Sequence, residues 1–151
     1  MNQALLERIE EAALGLGLAQ PPARWNHRGR TRAGLDCIGV GVLSHRDAGL
    51  AIVDDYEYGK RPIPGDLFSG LERAGMVQVD PPCPLPGSFL VFLDNGNQPS
   101  HGGVCVRHKG QVCVVHASLH TPGRRVAIQA LTFSLLDRLH STWAHRDVID
   151  G

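Results

Sequence analysis

Leu5, Ile9, Ala12, Ala13 and Leu16 recur at helical spacing and predict an amphipathic helix at the N-terminus, with Gly15 and Gly17 as stop signals. Residues 19–34, rich in Pro, Arg and Gly, read as a loop. The apolar run Ile38-Gly39-Val40-Gly41-Val42-Leu43 follows Asp36, a good N-cap type. A second helix is therefore expected to start with Cys37 in its first turn and to end near Gly49. Gly39 and Gly41 are costly inside a helix and point to close packing against a sheet. Residues 54–65 read as a loop, and Ile63, Leu67, Leu71 and Ala74 mark a short helix closed by Gly75. Met76 to Val79 predicts an edge strand and residues 81–87 a rigid Pro-rich turn. Phe89 to Leu93, apolar throughout, predicts a buried strand. Gly103–Arg107 and Val112–Ala117 predict a hairpin around Lys109-Gly110, Arg125–Ala130 a further strand, and residues 132–143 a final short helix. A helix followed by several antiparallel strands is an α+β pattern. No repeat, low-complexity tract or linker divides the chain, so residues 1–151 read as one domain.

Composition narrows the partners. Lys+Arg 15 balance Asp+Glu 15 and aromatics make up 5%, which argues against a nucleic-acid partner. No apolar run reaches the length of a bilayer, so no membrane span is expected. The N-terminal segment is interrupted by Glu7 and Glu10 and lacks the basic start of a signal peptide. Synthesis in the cytoplasm follows as the expectation, with Cys37, Cys83, Cys105 and Cys113 as thiols.

Cys37 is the candidate nucleophile. At a helix start it faces unpaired backbone N–H groups and the positive end of the helix dipole, both of which favour the reactive thiolate. Downstream lie His101 and His116, on the expected strand pair. With a two-residue turn at Lys109-Gly110, His108 opposes Gln111 and His116 opposes Gly103. The two histidines are then diagonal neighbours on one face. A three-residue turn would send them to opposite faces, and Lys is not ideal at the first turn position, so the residues alone leave both registers open. Cys105-x-x-His108 and Cys113-x-x-His116 offer four soft ligands for zinc, but the parities along the strands are poor. Core packing is the better reading of Cys105 and Cys113, and neither a metal nor another cofactor is expected. His27, His45, His108, His120, His140 and His145 are expected at the surface or in loops. Arg28, Arg30 and Arg32 read first as a solvated loop and second as a site for substrate carboxylates. Tyr56 and Tyr58 either cover a cleft or cap the core.

Four segments resemble the NlpC/P60 family of cysteine peptidases, its phage-tail and prophage members above all. They are Trp25-Asn26-His27-Arg28-Gly29-Arg30 with Gly34-Leu35-Asp36-Cys37; Leu85-Pro86-Gly87-Ser88-Phe89-Leu90-Val91-Phe92; Ser100-His101-Gly102-Gly103-Val104; and Val114-Val115-His116-Ala117-Ser118. The resemblance implies a papain-like α+β fold with a nucleophile helix packed on a small antiparallel sheet. It implies Cys37 as nucleophile, His101 as base and His116 as the residue that orients the base. Asp36 matches a position that holds a substrate amine, and Trp25 one that lines the cleft. Ile38 stands where relatives often carry Ser, which weakens recognition of a free N-terminal amine. The implied function is hydrolysis of an amide bond in bacterial peptidoglycan stem peptides. The implied partners are that peptide and phage tail proteins, and the implied location is a virion or the cell wall. The alternatives are a structural tail-assembly component with little activity, a secreted toxin amidase, and an acyl transferase on a related fold, in which the histidine usually precedes the cysteine.

Overall fold

The computed structural model describes residues 1–54, 57–59 and 63–151. The N-terminal helix α1 spans Gln3–Leu18, capped by the Asn2 side chain, which accepts from the Leu5 N–H at 3.1 Å. It runs through both expected stop signals. A Cβ at Gly15 would meet nothing, while Gly17 lies against Ile128, so close packing rather than termination accounts for Gly17. Three two-residue strands follow inside the segment expected to be loop: β1 (Arg24–Trp25), β2 (Arg30–Thr31) and β3 (Gly34–Leu35), in the order β1-β3-β2. Helix α2 then spans Cys37–Asp47, and Gly49 turns the chain at φ +94°. Helix α3 covers Pro64–Arg73 and closes at Gly75, φ +90°.

The rest is dominated by a six-stranded antiparallel sheet. Its strands are β4 (Met76–Val79), β5 (Phe89–Leu93), β6 (Pro99–His108), β7 (Gln111–His116), β8 (Ala127–Ala130) and β9 (Leu139–His145), in the order β4-β9-β5-β6-β7-β8. The expected final helix over 132–143 is thus replaced by one turn, α4 (Phe133–Leu136), and a central strand, β9, followed by a short α5 (Arg146–Asp150). Pairing with β4 and β5 on its two sides decides the state of Leu139–His145, because long-range ladder bonds override a weak local helical pattern. The molecule is therefore mixed α+β, with one small sheet and one larger antiparallel sheet.

Both faces of β5 are covered, which explains its unbroken apolar run. Phe89 and Val91 point into a core shared with α1 and α2, while Leu90 and Phe92 pack with Cys105, Val114 and the α4 segment. The same alternation puts Cys113 in the first core and Cys105 in the second, so the two thiols face opposite sides. Helix α2 lies on β6 and also touches β2 and β3, so it is held between the two sheets. Its glycines are the contact points. A Cβ on Gly39 would strike the Gly29 carbonyl, and one on Gly41 would sit 2.9 Å from the Phe89 ring.

These contacts have a measurable consequence. Gly41→Ala is expected to lower stability by about 1–3 kcal/mol through overpacking against Phe89, despite its better helix propensity. Gly15→Ala, with open space around it, is expected to raise stability by about 0.5–1 kcal/mol. Urea titrations that gave both variants the same sign would contradict this packing.

Candidate functional site

Asp36 builds the start of α2. Its Oδ1 accepts from the Gly39 N–H at 2.7 Å and from Arg30 Nη1 at 3.0 Å. Its Oδ2 accepts from the Arg28 N–H at 2.9 Å and from the Tyr58 hydroxyl at 2.6 Å. The expected N-cap is therefore present, and it is embedded in a wider network. Arg30 reaches on to Asp54 at 2.6 and 3.2 Å and donates to the Tyr58 oxygen at 2.6 Å. Burial opposes the Arg30 charge, but the Asp54 hydrogen bond, Asp36 and Tyr58 outweigh it and raise its pKa. Burial, and then the Asp36 charge, push the Tyr58 phenol up, so it stays protonated and donates.

This geometry bears on three expectations. Four donors fill both oxygens of Asp36, which is 5% exposed, so a substrate amine could reach it only by displacing one of them. Arg30 is neither a solvated loop residue nor free for substrate carboxylates, because the protein's own carboxylates use it. Arg28 and Arg32 do lie outside, at 3.7 Å from Glu57 and 2.6 Å from Asp47. Tyr58 packs inside, over Asp36 and edge-on to His27; Tyr56 lies outside the described residues.

The hairpin settles the histidine pair. His108 pairs with Gln111 across a two-residue turn in which Lys109 has φ +52° and Gly110 φ +76°. That is the register that puts His101 and His116 on one face, and His101 Nε2 lies 2.8 Å from His116 Nδ1. By strand alternation this is the face of Cys105 and Val114, opposite the one on which α2 packs. Cys37 comes to the same cleft from the start of α2. Strand β7 stops at His116, and the Cys37 thiol interacts with the backbone N–H of Gly102, next to His101. Cys37, His101, His116, Asp36 and Trp25 all line one cleft of about 720 Å³.

No protein-family model matches the chain, and no curated protein sequence matches it significantly.

The electrostatics run opposite to the helix-start expectation. The Cys37 thiol is pushed up to about 12, by burial first and then by the Asp36 charge; the Gly102 and Ile38 N–H groups and Arg30 offset this only in part. The cap residue cancels the advantage of the helix start, since it takes the Gly39 N–H and sets a carboxylate beside the sulfur. Burial, with smaller contributions from His116 and His120, pulls His101 down to about 3, and burial likewise lowers His116. The resting pair is a neutral thiol and a neutral imidazole.

Two cleft residues escaped the sequence reading. His120, expected at the surface, does lie exposed, but on the cleft rim close enough to act on His101. Gln129 lines the wall beside His116. A strand position two residues beyond the partner of His116 was the available signal for Gln129. His45 and His145 are buried, at 2% and 5% exposure, not at the surface. His45 Nδ1 donates to the Gly41 carbonyl at 2.7 Å, which lets a polar ring sit inside an apolar helix.

Burial lowers His45 from 6.5 to about 4, against the Gly41 hydrogen bond and with help from His145. Its folded pKa is depressed, so the unfolded chain takes up the proton first as pH falls below 6.5. Stability should therefore decline from there toward pH 4. His45 alone should account for about 2 kcal/mol of loss by about pH 5, with His101 and His116 adding in the same sense. Urea midpoints compared at neutral pH and at about pH 5 check this, and His45→Asn should flatten part of the slope. Equal midpoints would show that these rings are not buried neutral.

Proposed function

We propose that this chain is a cysteine hydrolase of the NlpC/P60 type, with a papain-like arrangement, that cleaves an amide bond in bacterial peptidoglycan stem peptides in a phage-tail or prophage setting. The observation that carries the reading is the 2.8 Å hydrogen bond from His101 Nε2 to His116 Nδ1, in a cleft that Cys37 also lines. It engages one nitrogen of His101 and leaves Nδ1 for the thiol proton. The four sequence segments point to the family, and the cleft volume falls within the range of ligand sites, about 300–1,000 Å³.

The chemistry follows from a neutral pair. As the sulfur attacks the scissile carbonyl carbon, its proton moves to His101 Nδ1 and the C–S bond forms. The Gly39 N–H is spent on Asp36 and the Ile38 N–H acts on the resting sulfur, so the Cys37 N–H is the one left at the helix start for the oxyanion. Collapse breaks the C–N bond, and the leaving amine takes the proton from His101. Water then gives a proton to the same nitrogen and attacks the thioester, and the departing sulfur recovers that proton. His116 holds the His101 ring throughout. Asp36 acts through the position and charge of α2 rather than by holding a substrate amine.

One observation favours a structural tail component instead: Cys37 is 7% exposed and its thiol is pushed up to about 12, which makes the resting sulfur a poor nucleophile. Intact sacculi separate the two readings. The wild-type protein is expected to release peptide fragments identifiable by mass spectrometry, and Cys37→Ser to release none. Serine-variant activity near the wild-type level would overturn the nucleophile assignment, and no release by folded, reduced wild type would favour the structural reading.

The pH profile tests the protonation states. His101 is pulled down to about 3, so the base form persists far below ordinary imidazole titration. The profile of kcat/KM is expected to be flat from about pH 5 to about pH 9, without an acid limb near 6.5. A limb near 6.5 would mean that His101 is solvated in the free protein.

A further inference from the structure

If His101 is the base, as proposed above, the proton positions farther along the chain of hydrogen bonds are fixed. Nδ1 of His101 must carry a lone pair toward the thiol, so its hydrogen sits on Nε2 and is donated to His116 Nδ1. His116, accepting at Nδ1 and neutral, then bears its hydrogen on Nε2. That Nε2 is buried and has no full hydrogen bond among the described residues. A buried donor in this position needs an acceptor.

The sheet supplies one. Strand β8 pairs Ala127 with His116 and Gln129 with Val114, so Gln129 is the diagonal neighbour of His116 on the same face, a separation that a long side chain spans. Both residues line the cleft. The main chain of Gln129 is tied into the ladder, and the residue is exposed. Burial lowers the His116 pKa, and the Gln129 side chain, acting as a hydrogen-bonding group, works against that lowering, the sign given by an acceptor facing an N–H. We propose that Gln129 is a positioning residue: its amide oxygen accepts from His116 Nε2–H and thereby fixes the tautomers of both histidines, leaving His101 Nδ1 bare toward Cys37.

The test uses the full chain and two readouts that need no peptide. Two-bond nitrogen–proton spectra of the 15N-histidine-labelled protein should show His116 protonated at Nε2 and His101 at Nε2. In Gln129→Leu the His116 signal should shift to mixed tautomers, and alkylation of Cys37 by iodoacetamide at neutral pH, followed by peptide mapping, should slow about tenfold. Gln129→Glu, which keeps an acceptor, should restore both the tautomer and the rate. A wild-type His116 protonated at Nδ1, or a leucine variant with unchanged tautomers and rate, would overturn the assignment. Failure of the wild type to cleave sacculi would remove the hydrolase reading while these spectra and rates still decide the role of Gln129.

Discussion

The buried carboxylate of Asp36 is the group around which the site is organised. It collects two backbone N–H groups, a guanidinium and a phenol, from residues 28, 30, 39 and 58. Those donors belong to the loop between β1 and β2, to β2 itself, to α2 and to the segment that follows α2. One side chain thus fastens four pieces of backbone and sets where α2 begins. A buried charge is tolerable only when its partners are complete, and loss of one would leave an uncompensated charge in the interior. Arg30 is shared with Asp54, so two carboxylates face one guanidinium. Among the described residues of this network the balance is negative, and Asp36 directly precedes the cysteine.

That balance brings structural and chemical demands into conflict. A cap carboxylate gives α2 a defined start, yet the same charge opposes the thiolate that a helix start would otherwise favour. Desolvation acts on both partners in the same direction, disfavouring the charged thiolate and the charged imidazolium alike. Both shifts favour the neutral pair, so charge would develop only as the sulfur attacks. In such a site the protein must stabilise charge along the reaction path rather than store it at rest, which places the burden on fixed N–H groups and on correct tautomers.

The cap, the α2 boundaries and the hairpin were legible because each rests on local rules. The register was the harder case. Lys109 at positive φ is unfavourable for a side-chain-bearing residue, so the turn alone does not select it. Ladder pairing of β6 with β7, and the apolar side chains the two strands bury, outweigh that local cost. The illegible parts all depend on distant partners. Strand β9 is defined by β4 and β5, the ionic network joins Arg30 to Asp54, and His45 is admitted to the interior by a carbonyl one turn back. Residue type and spacing carry no signal for such pairs, and the surface prior for charged or polar residues then points the wrong way.

The two halves of the site are positioned by unrelated devices. Asp36 fixes the sulfur through α2, and the hairpin register fixes the histidines on the opposite face of the sheet. A slip of one residue in β7 would move His116 to the wrong side without disturbing Cys37. The halves meet at Gly102-Gly103, where β6 runs past the end of β7. A side chain on Gly102 would strike the Phe89 ring, and one on Gly103 would strike Val114, the Val115 carbonyl and the His116 Cβ. Bare backbone at this junction lets Phe89 support α2 from one face and His116 lean toward His101 on the other. It also brings the Gly102 N–H to the sulfur. The geometry of the cleft therefore depends on two residues with no side chain, because only there can a helix on one face of a sheet be joined to a base on the other.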